Sequence, residues 1–283
     1  MTHSRAAHRV IAADAYSVPL PYKSFAVRSE EPRHAGVARA PYGRLHLIHT
    51  DFLDAAALGG LVSLGRGRMQ VCAFSDIDYA KVAHDELARA VPGVADLVAK
   101  IAEVLQKTGV LGDDSAAYQR SVAARIDYLA SRGAGFHNDV NRHWTACLFW
   151  NLTLAAQDVE FVMPHAGVRL ALAPGDLIVF DQTLAHGLCR PRDQGQAVAA
   201  SFDASPDSEQ IFLSGELALT DLQWAALGSP WLPVEQHLQR AALELMAAEF
   251  DGRTGAIKRL RSLSHCMRPD TSYVDEPASP AAG

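Results

Sequence analysis

His137 and Asp139 stand two positions apart in the run Gly135-Phe136-His137-Asn138-Asp139-Val140. On an extended strand, residues at i and i+2 point to the same face, about 6–7 Å apart along the backbone. Both side chains could therefore grip one ion. A third residue of ligand type, His186, follows 47 positions after Asp139, at the end of another apolar run. Two imidazoles and one carboxylate form the facial set that holds Fe(II) on one side and leaves its other coordination positions open. His143 shares no simple strand face with the pair, and His165 sits in an expected turn, so both are read as structural.

Ligands so far apart in sequence must converge from different strands held by a core. Short apolar runs lie at 145–152, 159–163, 168–173, 177–180 and 197–202. Asp158, His165-Ala166-Gly167, Pro174-Gly175 and Asp193-Gln194-Gly195 punctuate them at roughly ten-residue intervals, a rhythm that predicts an antiparallel sandwich or barrel. Val168, Leu170 and Leu172 alternate with less apolar neighbours, as does the stretch 122–129. Upstream, 44–49 reads as a strand with Leu45, Leu47 and His49 on one face. A helix from Asp51 is expected to stop at Gly59-Gly60, and another over 79–91 to stop at Pro92. Val94, Leu97, Val98, Ile101 and Leu105 have helical spacing, with Gly109 as the stop. Downstream, helices are expected over 216–227 and 234–250, and a disordered Pro/Ala/Ser-rich tail over 269–283. The expected architecture is mainly β, one domain over 1–268 with its core at about 120–204 and helices before and after it.

At 283 residues with 49% hydrophobic and 20% charged, the chain can bury a sizeable core. A net charge of −6 speaks against nucleic acid or an anionic membrane as partner. The basic run Lys258-Arg259-Leu260-Arg261 is read as a solvated helix face. No stretch of 18 or more apolar residues predicts a membrane span. The N-terminal charges have no apolar segment behind them, so no secretory signal is expected. Cys72, Cys147, Cys189 and Cys266 are scattered, which suggests neither a zinc ribbon nor a disulfide framework. The expectation is a reduced, cytoplasmic protein.

Phe136-His137-Asn138-Asp139, then Ala173-Pro174-Gly175-Asp176-Leu177-Ile178-Val179-Phe180-Asp181, then Leu184-Ala185-His186-Gly187 together resemble the Fe(II)/2-oxoglutarate-dependent oxygenase superfamily. The resemblance spans about 120–204. It implies a double-stranded β-helix, or jelly roll, with His137, Asp139 and His186 as iron ligands and catalytic centre. It further implies that 2-oxoglutarate chelates the iron through its C1 carboxylate and keto oxygen. Succinate would be formed while molecular oxygen oxidises a small-molecule substrate, usually by hydroxylation.

Many members carry an Arg or Lys shortly after the second His, for the distal carboxylate of 2-oxoglutarate. Here position 196 is Gln196, and 197–202 holds no base. Arg192 is the first choice for that carboxylate, with Arg190, Arg125 and Arg142 as further guanidiniums and Tyr128 as a hydrogen-bond donor. Trp144, Phe149 and Trp150 either line a pocket or fill the core. Asn151 either binds the cosubstrate or ends a strand. The residues also admit a cupin-type metal enzyme that does not use 2-oxoglutarate, a zinc hydrolase with a bound water, or a binding module with a vestigial triad. Substrate identity is not legible, and the C-terminal helices offer a possible oligomer interface.

Overall fold

The computed structural model describes residues 8–12, 37–39, 42–71, 80–82, 94–137, 147–163, 168–182, 184, 186–190, 208–229, 231–233, 246–250 and 257–262. The chain opens with β1 (His8–Ala12), β2 (Val37–Arg39), β3 (Arg44–His49), α1 (Ala55–Val71), β4 (Ala80–Val82), α2 (Val94–Gln106) and α3 (Ser115–Ala124). Eight strands follow: β5 (Asp127–Ser131), β6 (Ala134–His137), β7 (Cys147–Gln157), β8 (Glu160–Met163), β9 (Val168–Leu170), β10 (Asp176–Phe180), β11 (His186–Cys189) and β12 (Glu209–Ala218). Beyond them lie α4 (Asp221–Ala226), β13 (Trp231–Pro233), β14 (Met246–Phe250) and β15 (Ile257–Ser262).

The eight central strands pair as one long hairpin wound on itself. β8 pairs with β9, β7 with β10, β6 with β11 and β5 with β12, every pair antiparallel. The winding sends β5, β7, β10 and β12 into a seven-stranded sheet of order β1-β3-β10-β7-β12-β5-β4. It sends the other four into a second sheet of order β6-β11-β8-β9. That is a jelly roll, and the chain is mainly β with a few flanking helices.

Alternation along the strands decides what each face buries. Trp150, Leu152 and Leu154 of β7, with Leu177 and Val179 of β10, turn outward and pack under Leu61, Ile101, Leu105 and Tyr118 of the helices. Ile178 and Phe180 turn inward and meet Phe161, Met163 and Leu188 of the smaller sheet. A strand covered on both faces reads as a continuous apolar run, which is why 177–180 carries no visible alternation.

Several expectations are corrected. Helix α1 runs through Gly59 and Gly60 to Val71. Asp54 caps it, Oδ1 accepting the Ala57 amide at 2.7 Å, and Tyr128 donates its hydroxyl to the Leu61 carbonyl. Gly59, Gly60, Gly65 and Gly67 all lie inside this helix, and core packing of Leu61 opposes their low helix propensity. Ala80–Val82 is a strand, because β5 would otherwise end the sheet with open backbone groups. Residues 122–124 complete α3, capped by Asp114. The stretch 216–227 divides into the end of β12 and the short α4. Residues 246–250 and the basic run at 258–261 are paired strands. The expected strand at 197–202, the expected helix residues 234–245 and the tail at 269–283 lie outside the described residues. Among those described, no helix is long and apolar enough to cross a membrane, and Cys147 and Cys189 are buried thiols outside any disulfide.

His46 supplies a pH dependence. It is buried on β3, with Nδ1 at 3.0 Å from His8 Nε2 and Nε2 at 2.7 Å from the Tyr42 hydroxyl. Burial first, then the nearby charges of His8 and Arg44, lower its pKa from 6.5 to about 4. The unfolded chain therefore binds a proton in that window that the folded chain refuses. Its contribution is full above pH 6.5 and is lost as pH falls towards 4, up to roughly 3 kcal/mol. Urea midpoints recorded from pH 7 to 4.5 should decline, and the decline should shrink in His46→Gln. Equal slopes in the two proteins would refute this.

Candidate functional site

Strands β6 and β11 lie side by side, and their register sets position 137 directly opposite position 186. Directly opposed residues of an antiparallel pair share a face, with Cβ atoms about 4.5–5.5 Å apart. Two backbone positions 49 apart in sequence are thus brought to one place on the smaller sheet. Asp139, the third expected ligand, lies outside the described residues, as do Arg142, His143, Trp144, His165, Arg192 and Gln196. Among the described residues no three His, Cys, Asp or Glu side chains cluster for a metal.

The His186 side chain is 7% exposed and tightly placed. Its Nδ1 donates to the Leu184 carbonyl at 2.8 Å, which assigns the proton to Nδ1 and the lone pair to Nε2. The ring meets Phe180 edge-on at 5.1 Å between centroids and stacks with Phe161 at 6.1 Å. These aromatic walls restrict the imidazole to rotations about a held axis. An imidazole with its tautomer set and its ring wedged is preorganised for coordination.

Behind His186 the inner face of the large sheet changes character. Towards β10 and β3 it is apolar, with Ile178, Phe180 and Leu45 in the inter-sheet cluster. Towards β7 and β12 it becomes polar. Asn151 and Thr153 alternate with outward Trp150, Leu152 and Leu154. Gln210, Ser214 and Glu216 alternate with outward Ile211, Leu213 and Leu217. Asn151 Oδ1, Thr153 Oγ1 and Gln210 Oε1 are buried and have no hydrogen-bond partner among the described residues. Leaving such atoms unpaired costs about 1–3 kcal/mol each. A row of them on adjacent strands suits a polar guest between the sheets. Arg190, four residues past His186 and about 13 Å along the strand, is a guanidinium at 5% exposure. Of those side-chain oxygens only the Thr153 hydroxyl can donate to a carboxylate, whereas the amide oxygens of Asn151 and Gln210 accept and suit a group that donates.

Two other expected cosubstrate residues are engaged by partners within the chain. Tyr128 faces the helices: its hydroxyl donates to the Leu61 carbonyl, and burial pushes its pKa up. Arg125 is held by two carboxylates, with Nη1 at 2.7 Å from Glu216 Oε1 and Nε at 3.0 Å from Asp127 Oδ2. Its charge is already answered. Trp150 belongs to the core beneath the helices, whereas Phe149 turns inward beside Phe180, 6.4 Å between centroids. Asn151 stands in mid-strand, not at a strand end. Thr153, Gln210 and Ser214 escaped the sequence reading. Their signal was a period-two polar alternation, which ordinarily marks a solvent face.

No family model matches the sequence, and no curated protein matches it. Solved structures that match include a Pseudomonas putida prolyl-4-hydroxylase, at 10% identity over 68% of this chain and 97% of that one, with a TM-score of 0.36. The non-heme alpha ketoglutarate dependent epimerase SnoN from nogalamycin biosynthesis matches at 13% identity over 67% and 79%, TM-score 0.31. HygX from Streptomyces hygroscopicus, with nickel and 2-oxoglutarate bound, matches at 10% over 64% and 82%, TM-score 0.34. These are loose likenesses, and the account of the site rests on strand order, register and side-chain geometry.

Proposed function

We propose that this chain is a non-haem Fe(II)/2-oxoglutarate-dependent oxygenase acting on a small molecule. The observation that carries the reading is the register of β6 and β11, which sets position 137 opposite the preorganised His186. His137, Asp139 and His186 would hold the metal. When bound, Fe(II) and 2-oxoglutarate would supply oxidation of a C–H bond by molecular oxygen, with release of succinate and carbon dioxide. The Thr153 hydroxyl would donate to the cosubstrate along the polar inner face, and the amide oxygens of Asn151 and Gln210 would accept from a donor group of the substrate. Arg190 is assigned the cosubstrate's distal carboxylate in place of Arg192, because it is buried directly after the strand that begins at His186 and a guanidinium pairs a carboxylate in bidentate fashion.

Anaerobic titration of the metal-free protein with Fe(II) and then 2-oxoglutarate tests this. A visible charge-transfer band should appear at one equivalent of each. Arg190→Gln should bind iron normally but need about 10–100-fold more 2-oxoglutarate, the loss expected for one or two charged hydrogen bonds. Arg192→Gln should leave the titration unchanged. Iron binding without the band would remove 2-oxoglutarate and leave a cupin-type metal enzyme. No iron binding at all would end the oxygenase reading.

A further inference from the structure

We propose that Asp181 is a positioning residue for His186, acting through the turn between β10 and β11. The inference rests on the metal role of His186 proposed above. Asp181 directly follows β10 and is fully buried. Its Oδ2 accepts the backbone amide of Tyr42 at 2.7 Å, a bond across 139 positions of sequence. Its own carbonyl accepts the Leu184 amide at 3.1 Å. The Leu184 carbonyl in turn accepts Nδ1–H of His186 at 2.8 Å. A continuous set of bonds therefore leads from Tyr42 to the imidazole.

The anchor at the far end is rigid. Tyr42 is buried, and its hydroxyl is held by His46 Nε2 at 2.7 Å. A second tie holds the same turn from the other side, Gln182 Nε2 donating to the Cys147 carbonyl at 3.1 Å. His186 is the first residue of its strand, so the ladder holds it from one side only and its approach is set by the turn before it. A buried carboxylate is costly unless its bonds do something an apolar residue would not. Here those bonds set where the Leu184 carbonyl points, and that carbonyl sets the imidazole's tautomer and ring orientation. Groups that orient a ligating histidine in this way alter metal affinity without touching the metal.

The test uses Asp181→Leu, which keeps the branched heavy-atom shape and buries no charge, with Asp181→Ala beside it to exclude overpacking and Asp181→Asn as the variant that retains an acceptor oxygen. Each is titrated anaerobically with Fe(II) against a competing chelator, and the band formed with 2-oxoglutarate is recorded. Asp181→Leu and Asp181→Ala should bind iron about 10–100-fold more weakly, with the band displaced. Asp181→Asn should recover most of the affinity. Val104→Ala, a core truncation in α2, should lose stability yet keep wild-type affinity and spectrum. Wild-type affinity and band in Asp181→Leu would overturn the positioning role, as would an equal loss of affinity in Val104→Ala. Failure of the unmutated protein to bind iron would instead overturn the metal reading on which this one stands.

Discussion

His186→Ala is expected to abolish stoichiometric Fe(II) binding and with it all turnover. The side chain is wedged between Phe161 and Phe180, with its Nδ1 proton committed to the Leu184 carbonyl. Replacing an outer-shell partner of a ligating histidine costs about 10–100-fold in affinity or activity, and removing the ligand itself must cost more. A loss of at least ~100-fold in iron affinity is the expected result. The fold should survive, because Phe161, Phe180 and Leu188 remain to fill the inter-sheet cluster. Chelator competition measures the affinity, and circular dichroism checks the fold. Wild-type iron binding in a folded His186→Ala protein would remove this residue from the site.

A large stability effect is expected at a residue with no side chain. Gly215 on β12 lies opposite Trp150 on β7. A Cβ at Gly215 would stand 2.4 Å from Trp150 Cζ2 and 2.5 Å from Cε2. Trp150 is fully buried beneath the helices, so the indole cannot give way. Gly215→Ala should destabilise the protein by about 3 kcal/mol, the upper part of the usual cost of overpacking a core. Urea unfolding at constant slope would measure it. Trp150→Leu in the same chain should return part of the loss, because it opens the space the methyl group needs. The indole N–H has no partner among the described residues, so no hydrogen bond is forfeited. An unchanged midpoint in Gly215→Ala would show that β12 and β7 are not packed as described.

Local signals sufficed for much of this molecule. Turn residues recurring between short apolar runs predicted an antiparallel β core, and four of those runs became β7, β8, β9 and β10. The helical spacing from Val94 and the left-handed cap at Gly109, φ 70°, were legible because both depend on neighbours within one turn. His137 and His186 were singled out by residue type, and the hairpin winding sets their strands side by side.

What escaped depended on partners distant in sequence. Helix α1 crosses two glycines because Tyr128 and the sheet hold it from outside its own segment. Residues 216–227 were expected to be helix, yet Glu216 belongs to strand β12, as do Gln210 and Ser214. Only the wound sheet turns those residues inward. Arg125 and Tyr128 were plausible cosubstrate residues until pairing with Glu216 and Leu61 committed them elsewhere. Residue types and turns are written locally, and they determined the class of fold and the candidate histidines. Which face of a strand lies inside, and which charge is already paired, is decided by residues a hundred positions away, so only the tertiary structure could show the polar inner face and the burial of Arg190 and Asp181.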